Sequence, residues 1–213
     1  NGFHVMHTIA YATMPTAEVT STTPQGDGNY TDPGWLNALQ VFDRWNKAGY
    51  FTKDANGIDF DNHWASFCSG GTAMLTQGTW LFKTIEDCAK ASGGALEWAN
   101  MPFPVSSGLP FQAYVGIGSA WYAPSTLAED AQKEAAVLDL IDALISPDAA
   151  NQWVSDAQSF PAVPFDHAAV SLTDAQQSAL DIIEKAGENG GPVPVGFNNS
   201  AEESKVWAEG LQG

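Results

Sequence analysis

Basic side chains are scarce in this sequence of 213 residues. Lysine and arginine together number 8, against 25 aspartates and glutamates, and the formal net charge at pH 7 is −17. Nucleic-acid binding depends on lysine and arginine contacting phosphates, and anionic membrane surfaces attract the same side chains. The composition therefore argues against both kinds of partner, and it suits solubility in a crowded or extracellular medium.

Long apolar runs and several catalytic motifs are missing as well. No stretch approaches the roughly 18 consecutive apolar residues of a membrane-spanning helix. The sequence has no G-x-S-x-G nucleophile motif, no G-x-G-x-x-G loop and no phosphate-binding lysine loop. His4 and His7 could share a helix face, but a histidine pair without a third ligand nearby is more typical of packing than of a metal site. We therefore expect no catalytic residues, no metal and no cofactor.

Cysteine is limited to Cys68 and Cys88, which are too few for a disulfide scaffold or a zinc site. The favoured interpretation is two free, buried thiols. The alternative is a single disulfide between neighbouring elements, which requires an oxidising compartment. The sequence alone leaves both open.

Apolar and aromatic residues, by contrast, are plentiful. Apolar residues make up 44% of the chain, enough to bury a sizeable core, and eight tryptophans are present. Flat rings can stack on the C–H faces of sugars, so an acidic, tryptophan-rich chain favours a carbohydrate-binding surface. The tryptophans that we expect in the core, from their helical spacing, are Trp35, Trp45, Trp64, Trp153 and Trp207. The aromatics at element starts or in loops, where ligand contact and packing remain equally open, are Trp80, Trp121, Phe3 and Phe197.

Periodicity and capping residues predict a helix-rich chain with a few short strands, which corresponds to an α/β or α+β fold. Helix starts are indicated by Asp32-Pro33, by Ser146-Pro147 and by a capping box at Thr173. The predicted helices are 33–49, 59–69, 79–91, 131–145, 147–153, 173–185 and 200–211, and residues 3–12 have near-helical spacing. The predicted strands are 72–76, 96–103 and 111–123.

The stretch 67–80, FCSGGTAMLTQGTW, is the centre of this pattern. A helix ends at glycines, a short apolar strand follows, and Gln77-Gly78-Thr79 turns the chain before Trp80 opens the next helix. This order places a large flat ring at the end of a strand. Ligands collect at strand ends in open α/β sheets.

Five ordered motifs over residues 30–165 resemble the extracellular solute-binding proteins of bacterial ABC importers, in their carbohydrate-binding, maltose-binding-protein-like branch. Each motif alone is weakly specific, whereas five in the right order are more so. The motifs are Thr31-Asp32-Pro33 ahead of a helix that stops at Gly49, Phe67-x-Ser69-Gly70-x-x-Ala73-Met74-x-x-Gln77-Gly78-x-Trp80, Met101-Pro102-Phe103-Pro104, Glu134-Ala135-Ala136 through Ser146-Pro147-Asp148, and Pro161-Ala162.

The resemblance implies an α/β, two-lobe periplasmic-binding-protein-like fold of type II. The chain corresponds to the C-terminal half, mainly the helix-rich C-terminal lobe. Residues 1–117 and 173–213 would belong to that lobe, and residues 118–172 would cross into the N-terminal lobe. Hinge strands would lie near 115–120 and 170–173. Because the sequence begins at Asn1, we expect that the other half of the N-terminal lobe, and any lipid anchor, precede it.

The resemblance also implies a set of ligand-binding residues. Trp80 matches a tryptophan that stacks on the sugar in this family, and Gly78 belongs to the same motif. Phe3 and His4 fall near one segment that lines the cleft, and loop 195–199 falls near another. The full set of expected ligand-binding residues is Trp80, Gly78, Phe3, His4, Gly118, Trp121, Phe197 and Asn198.

The function implied is non-enzymatic. A monomeric protein, extracellular, anchored at the cell surface or periplasmic, would capture a sugar or oligosaccharide and deliver it to an importer permease. One alternative is a carbohydrate-active hydrolase, because a catalytic carboxylate pair among 25 acidic residues stays possible. Another is the same fold binding a different solute, such as a peptide, a polyamine or a metal complex.

Overall fold

Helices dominate the computed structural model, which describes residues 2–22, 26–53, 55–58, 62–106, 108–113, 115, 120–188, 205–206 and 209–210. The α-helices between residues 2 and 188 are α1 (Gly2–Thr13), α2 (Thr16–Ser21), α3 (Pro33–Lys47), α4 (Ala65–Cys68), α5 (Phe82–Ala91), α6 (Ala131–Leu144), α7 (Pro147–Ser155) and α8 (Asp174–Gly187). Short 3-10 helices lie at Ala55–Gly57, Thr79–Leu81 and Ser125–Glu129. The predicted helix 200–211 lies largely outside the described residues.

The three predicted strands are wrong wherever the structure describes them. Residues 72–76 and 96–103, and the described part of 111–123, are extended or irregular but form no β-ladder. A strand is stable only when a neighbour pairs with its backbone groups. In the second segment the backbone N–H of Leu96 instead donates to the hydroxyl of Ser92 at 2.9 Å, and the carbonyl of Asn100 accepts from the hydroxyl of Ser178 at 3.4 Å. The sheet part of the α/β expectation is therefore not met within the described residues.

The helices α3 and α8 begin where the sequence predicts, although the Asp32 carboxylate accepts from the N–H of Asn29 and makes no capping bond to α3. Pro33 is the first residue of α3 and follows Asp32, whose backbone is extended. The hydroxyl of Thr173 accepts from the N–H of Gln176, and the Gln176 side chain bonds back to the Thr173 N–H, which completes the predicted capping box. One helix is much shorter than predicted, because the turn at 62–64 leads into α4 and not into an eleven-residue helix.

The largest apolar core lies between α1 and α3. Its members are all fully or almost fully buried: Met6, Ile9, Ala10, Tyr11, Met14, Val19, Trp35 and Ala38. Phe42 and Trp45 are partly buried against the same cluster, as the spacing of α3 predicts. Leu36, the residue after Trp35, is about half exposed, because the buried stripe of α3 runs through Trp35 and Ala38.

Gln112 ties this core to the extended segment after residue 108. It is 4% exposed, its Nε2 donates to the carbonyls of Tyr11 and Met14 at 2.6 Å each, and its Oε1 accepts from the N–H of Thr16 at 3.0 Å. The hydroxyl of Thr16 donates to the same oxygen. The side-chain amide of Gln112 therefore supplies hydrogen-bond partners to three backbone groups where α1 ends and α2 begins.

A disulfide joins Cys68, at the end of α4, to Cys88 in α5. The favoured interpretation of two free thiols is wrong, and the alternative of a single clasp between neighbouring elements is confirmed. The bond encloses the segment that carries Gly78 and Trp80. Such a bond is consistent with an oxidising compartment outside the cytoplasm.

The segment 120–155 leaves much apolar surface open. No residue of α6 is buried, and Leu138 of this helix is 51% exposed. Trp153 of α7 was expected in the core and is 46% exposed. Within the described ranges, no helix has the length and apolarity needed to cross a membrane.

Candidate ligand-binding site

Trp80 lies in the short helix Thr79–Leu81, and 42% of its surface is exposed. Its ring folds back over the backbone of Gly78, so that a Cβ added at Gly78 would overlap the six-membered part of the indole. The backbone of Gly78 is extended, with φ −89° and ψ 172°, which any residue can adopt. Glycine is therefore needed here for space rather than for backbone freedom.

His4 of α1 forms one wall beside this ring. The His4 and Trp80 ring centroids are 5.8 Å apart, with an angle of 50° between the planes. His4 is partly buried, and this burial lowers the pKa of its imidazole, with a smaller contribution from His63. The neutral form of His4 is therefore favoured next to the tryptophan.

Gln77 and His63 complete the described part of the site. The Nε2 atoms of the two side chains are hydrogen-bonded to each other, and Oε1 of Gln77 accepts from the Gly78 N–H at 3.4 Å. Neither residue is among the expected ligand-binding residues, because the sequence analysis treated Gln77 only as part of a turn and assigned His63 no role. The one available signal was the position of Gln77 directly before Gly78.

These groups form one arrangement from three separate parts of the chain. An exposed flat ring lies beside an imidazole of α1 and over Gly78, and the N–H of Gly78 bonds to the Gln77 side chain, which also bonds to His63. The ring can take the apolar face of a ligand, and the amide and imidazole nitrogens can take polar groups at its edge. A cyclic polyol has this combination of surfaces. Within the described part of the chain, no group of three or more His, Cys, Asp or Glu side chains could hold a metal ion.

The other expected site residues are not brought to Trp80 by the described structure. Phe3 belongs to α1 next to His4, but its side chain lies outside the described residues. Trp121 is 60% exposed in the segment before the helix Ser125–Glu129. Gly118, Phe197 and Asn198 lie outside the described residues. The ligand-binding roles of all eight expected residues stay predictions.

Replacing Gly78 with alanine is expected to push the Trp80 ring out of its position, because the new methyl group would overlap the indole. Because the overlapped atoms are the outer atoms of a half-exposed indole that can swing aside, we expect a cost in stability below about 1 kcal/mol. Near-UV circular dichroism and urea unfolding would measure the displacement and the cost. Gly57→Ala is the matched control, since a Cβ there meets nothing within 4 Å. Equal behaviour of the two variants would contradict the steric role of Gly78.

Comparison with known proteins gave one match. The family model for bacterial extracellular solute-binding proteins matches residues 2–188. No curated protein and no solved structure matches the chain. The expected family is confirmed, whereas the maltose-binding-protein-like, carbohydrate-binding branch remains a prediction.

Proposed function

Because the chain belongs to the bacterial extracellular solute-binding proteins, we propose that it captures a sugar or oligosaccharide and delivers it to an importer permease. A substrate-binding role in ABC transport and a location outside the cytoplasm follow from the family itself. Proteins of this family are generally not enzymes, and the capture proposed here involves no covalent chemistry.

The half-exposed indole of Trp80 is the observation that carries the sugar proposal. Its ring is held over Gly78 and bordered by His4, so one face is supported by protein. A pyranose would stack its C–H face on the open side, and nearby polar groups would bond its hydroxyls. Specificity would come from these bonds, because a buried polar group left without a partner is costly.

The two-lobe arrangement of type II is part of the same proposal, with residues 118–172 crossing into an N-terminal lobe. The exposed apolar surface of α6 supports the assignment of residues 118–172 to a second lobe, because large exposed apolar patches mark surfaces that another part of a protein covers. The cleft would close over the sugar by hinge motion near 115–120 and 170–173. The closed form would then be the one that the permease accepts.

Replacing Trp80 with alanine is expected to weaken sugar binding roughly fivefold or more, because an aromatic stack contributes about 1 kcal/mol beyond its buried area. Isothermal calorimetry against glucose, galactose, maltose, maltotriose and cellobiose, with the longest available form of the protein, would measure it. Trp153→Ala is the matched control, since Trp153 is 46% exposed and Trp80 is 42% exposed.

Two results would count against the proposal. An unchanged affinity in Trp80→Ala would remove this ring from the site. If no sugar of the panel gave a heat of binding, the carbohydrate assignment would be wrong. The protein would then bind a solute of another class in the same transport role. Release of shorter sugars during incubation would instead indicate a hydrolase.

A further inference from the structure

The methionines of the chain fall into a buried pair and an exposed pair. Met6 and Met14 belong to the core between α1 and α3, where they are 0% and 2% exposed. Met74 and Met101 are 78% and 65% exposed. A thioether is oxidised when the oxidant reaches its sulfur, so the rate follows the exposure of the side chain. The fold therefore separates two accessible thioethers from two protected ones.

The protein offers an oxidant no thiol that would react first. Its two cysteines, Cys68 and Cys88, both lie among the described residues and are joined in the disulfide between α4 and α5. Thiolates are the protein sulfur groups that peroxides ordinarily attack first, and a disulfide has none. The thioethers of methionine are therefore the sulfur atoms left to react. A disulfide-permissive compartment is also an oxidising one, so such oxidants can occur there.

Met74 lies in the segment that the disulfide encloses, ahead of Trp80 on the same segment. Residues 72–78 have no regular structure, and the Met74 side chain is open to water. The start of the segment is held by the N–H of Gly71, which donates to the carbonyl of Ser66 at 2.8 Å. This bond does not involve Met74. A polar group placed on the Met74 sulfur therefore remains in water.

We propose that Met74 and Met101 are methionine-oxidation sites, at which a peroxide converts the thioether to the sulfoxide while Met6 and Met14 stay reduced. A sulfur lone pair takes one oxygen atom, the O–O bond of the peroxide breaks, and water leaves when the peroxide is hydrogen peroxide. The sulfur loses the electron pair that the peroxide gains, so the reaction needs no other partner. Sulfoxide reductases specific for each epimer return the thioether, which makes the modification reversible.

The positions of the four sulfur atoms also decide what the modification does to stability. A sulfoxide is polar, and burying a polar group without a partner is costly. The Met14 sulfur has no room to spare, since a Cβ added at Gly34 would lie 3.2 Å from it. The sulfoxides of Met74 and Met101 would face water instead. We therefore expect oxidation of the exposed pair to leave the fold intact.

Peptide mass spectrometry of the whole chain, after graded exposure to hydrogen peroxide, tests the proposal. Met74 and Met101 are expected to gain one oxygen atom at a rate within about threefold of that of N-acetylmethionine amide, because both are mostly solvated. Met6 and Met14 are expected to react at least about a hundredfold more slowly, because the core has to open first. In urea above the unfolding midpoint, the four rates should agree within about threefold.

Met74→Leu is the matched variant, since it keeps an apolar side chain at an exposed position. It is expected to remove the mass gain at position 74 and to leave the rate at Met101 unchanged. Wild type oxidised only at Met74 and Met101 is expected to unfold at the urea midpoint of the untreated protein. Treatment of this native, oxidised protein with both sulfoxide reductases should then remove the added oxygen from both positions.

The proposal fails on any of three observations. A rate at Met74 as low as that at Met6 in the native protein would show that the Met74 side chain is covered. Equal rates at all four methionines before unfolding would show that the core protects none of them. A lower urea midpoint after selective oxidation of Met74 and Met101 would show that these sulfur atoms do not face water. None of these outcomes depends on the solute, so they are independent of the sugar proposal.

Discussion

Replacing Cys68 and Cys88 together with serine is expected to lower the free energy of unfolding by about 3 kcal/mol. The disulfide joins residues separated by 20 positions, and removing it frees this loop in the unfolded chain. Urea unfolding of the oxidised wild type and of the double variant, followed by circular dichroism, would measure the difference. A loss of this size is a large part of the stability of an ordinary domain.

The wild type with its disulfide reduced is the matched control for the double cysteine variant. The wild type in excess dithiothreitol should unfold at the midpoint of the double variant, and the variant itself should not respond to reductant. Because the loop contains Gly78 and Trp80, the near-UV dichroism of the site should weaken before the helices unfold. Coinciding midpoints for oxidised wild type and double variant would show that the bond contributes nothing to stability.

Helices could be predicted from this sequence because their signals are local. The proline at the start of α3 and the Thr173–Gln176 capping box act within one turn of helix, so neighbouring letters suffice to find them. The predicted strands failed for the opposite reason. The apolar run 72–76 satisfies a strand pattern, but a strand also needs a partner, and the identity of that partner is not a local property.

In the candidate site, too, the local features could be predicted from the sequence and the long-range contacts could not. Trp80 and Gly78 belong to one short motif that could be found in the sequence, whereas the contact of the ring with Gly78 was not predicted from it. Gln77 bonds to His63 across 14 positions, and His4 reaches Trp80 from a helix 76 positions away. The spacing of these residues does not predict the contacts. They form only because α1 and the segments before and after α4 fold against one another. The same holds for the disulfide, since two cysteines alone do not reveal whether they meet.

Replacing Gln112 with alanine is expected to lower the free energy of unfolding by about 3 kcal/mol, as the sum of several hydrogen bonds at about 1 kcal/mol each. The amide bonds to the carbonyls of Tyr11 and Met14 and to both the N–H and the hydroxyl of Thr16. Its removal leaves these groups at a buried junction, where each unpaired group carries its full cost of desolvation. Urea unfolding would measure the loss.

Two further variants make this prediction specific to the amide of Gln112. Gln112→Glu keeps the shape and an acceptor for Thr16, but it brings a carboxylate oxygen against the carbonyls of Tyr11 and Met14. We therefore expect this variant to be destabilised near neutral pH and to recover in mild acid, where a protonated carboxyl can donate to one of the two. Gln40→Ala, on the exposed side of α3, is the control for loss of a glutamine and should change stability little. If Gln112→Ala unfolded at the midpoint of Gln40→Ala, the junction between α1 and α2 would be held by packing alone, and the hydrogen bonds of Gln112 would be dispensable.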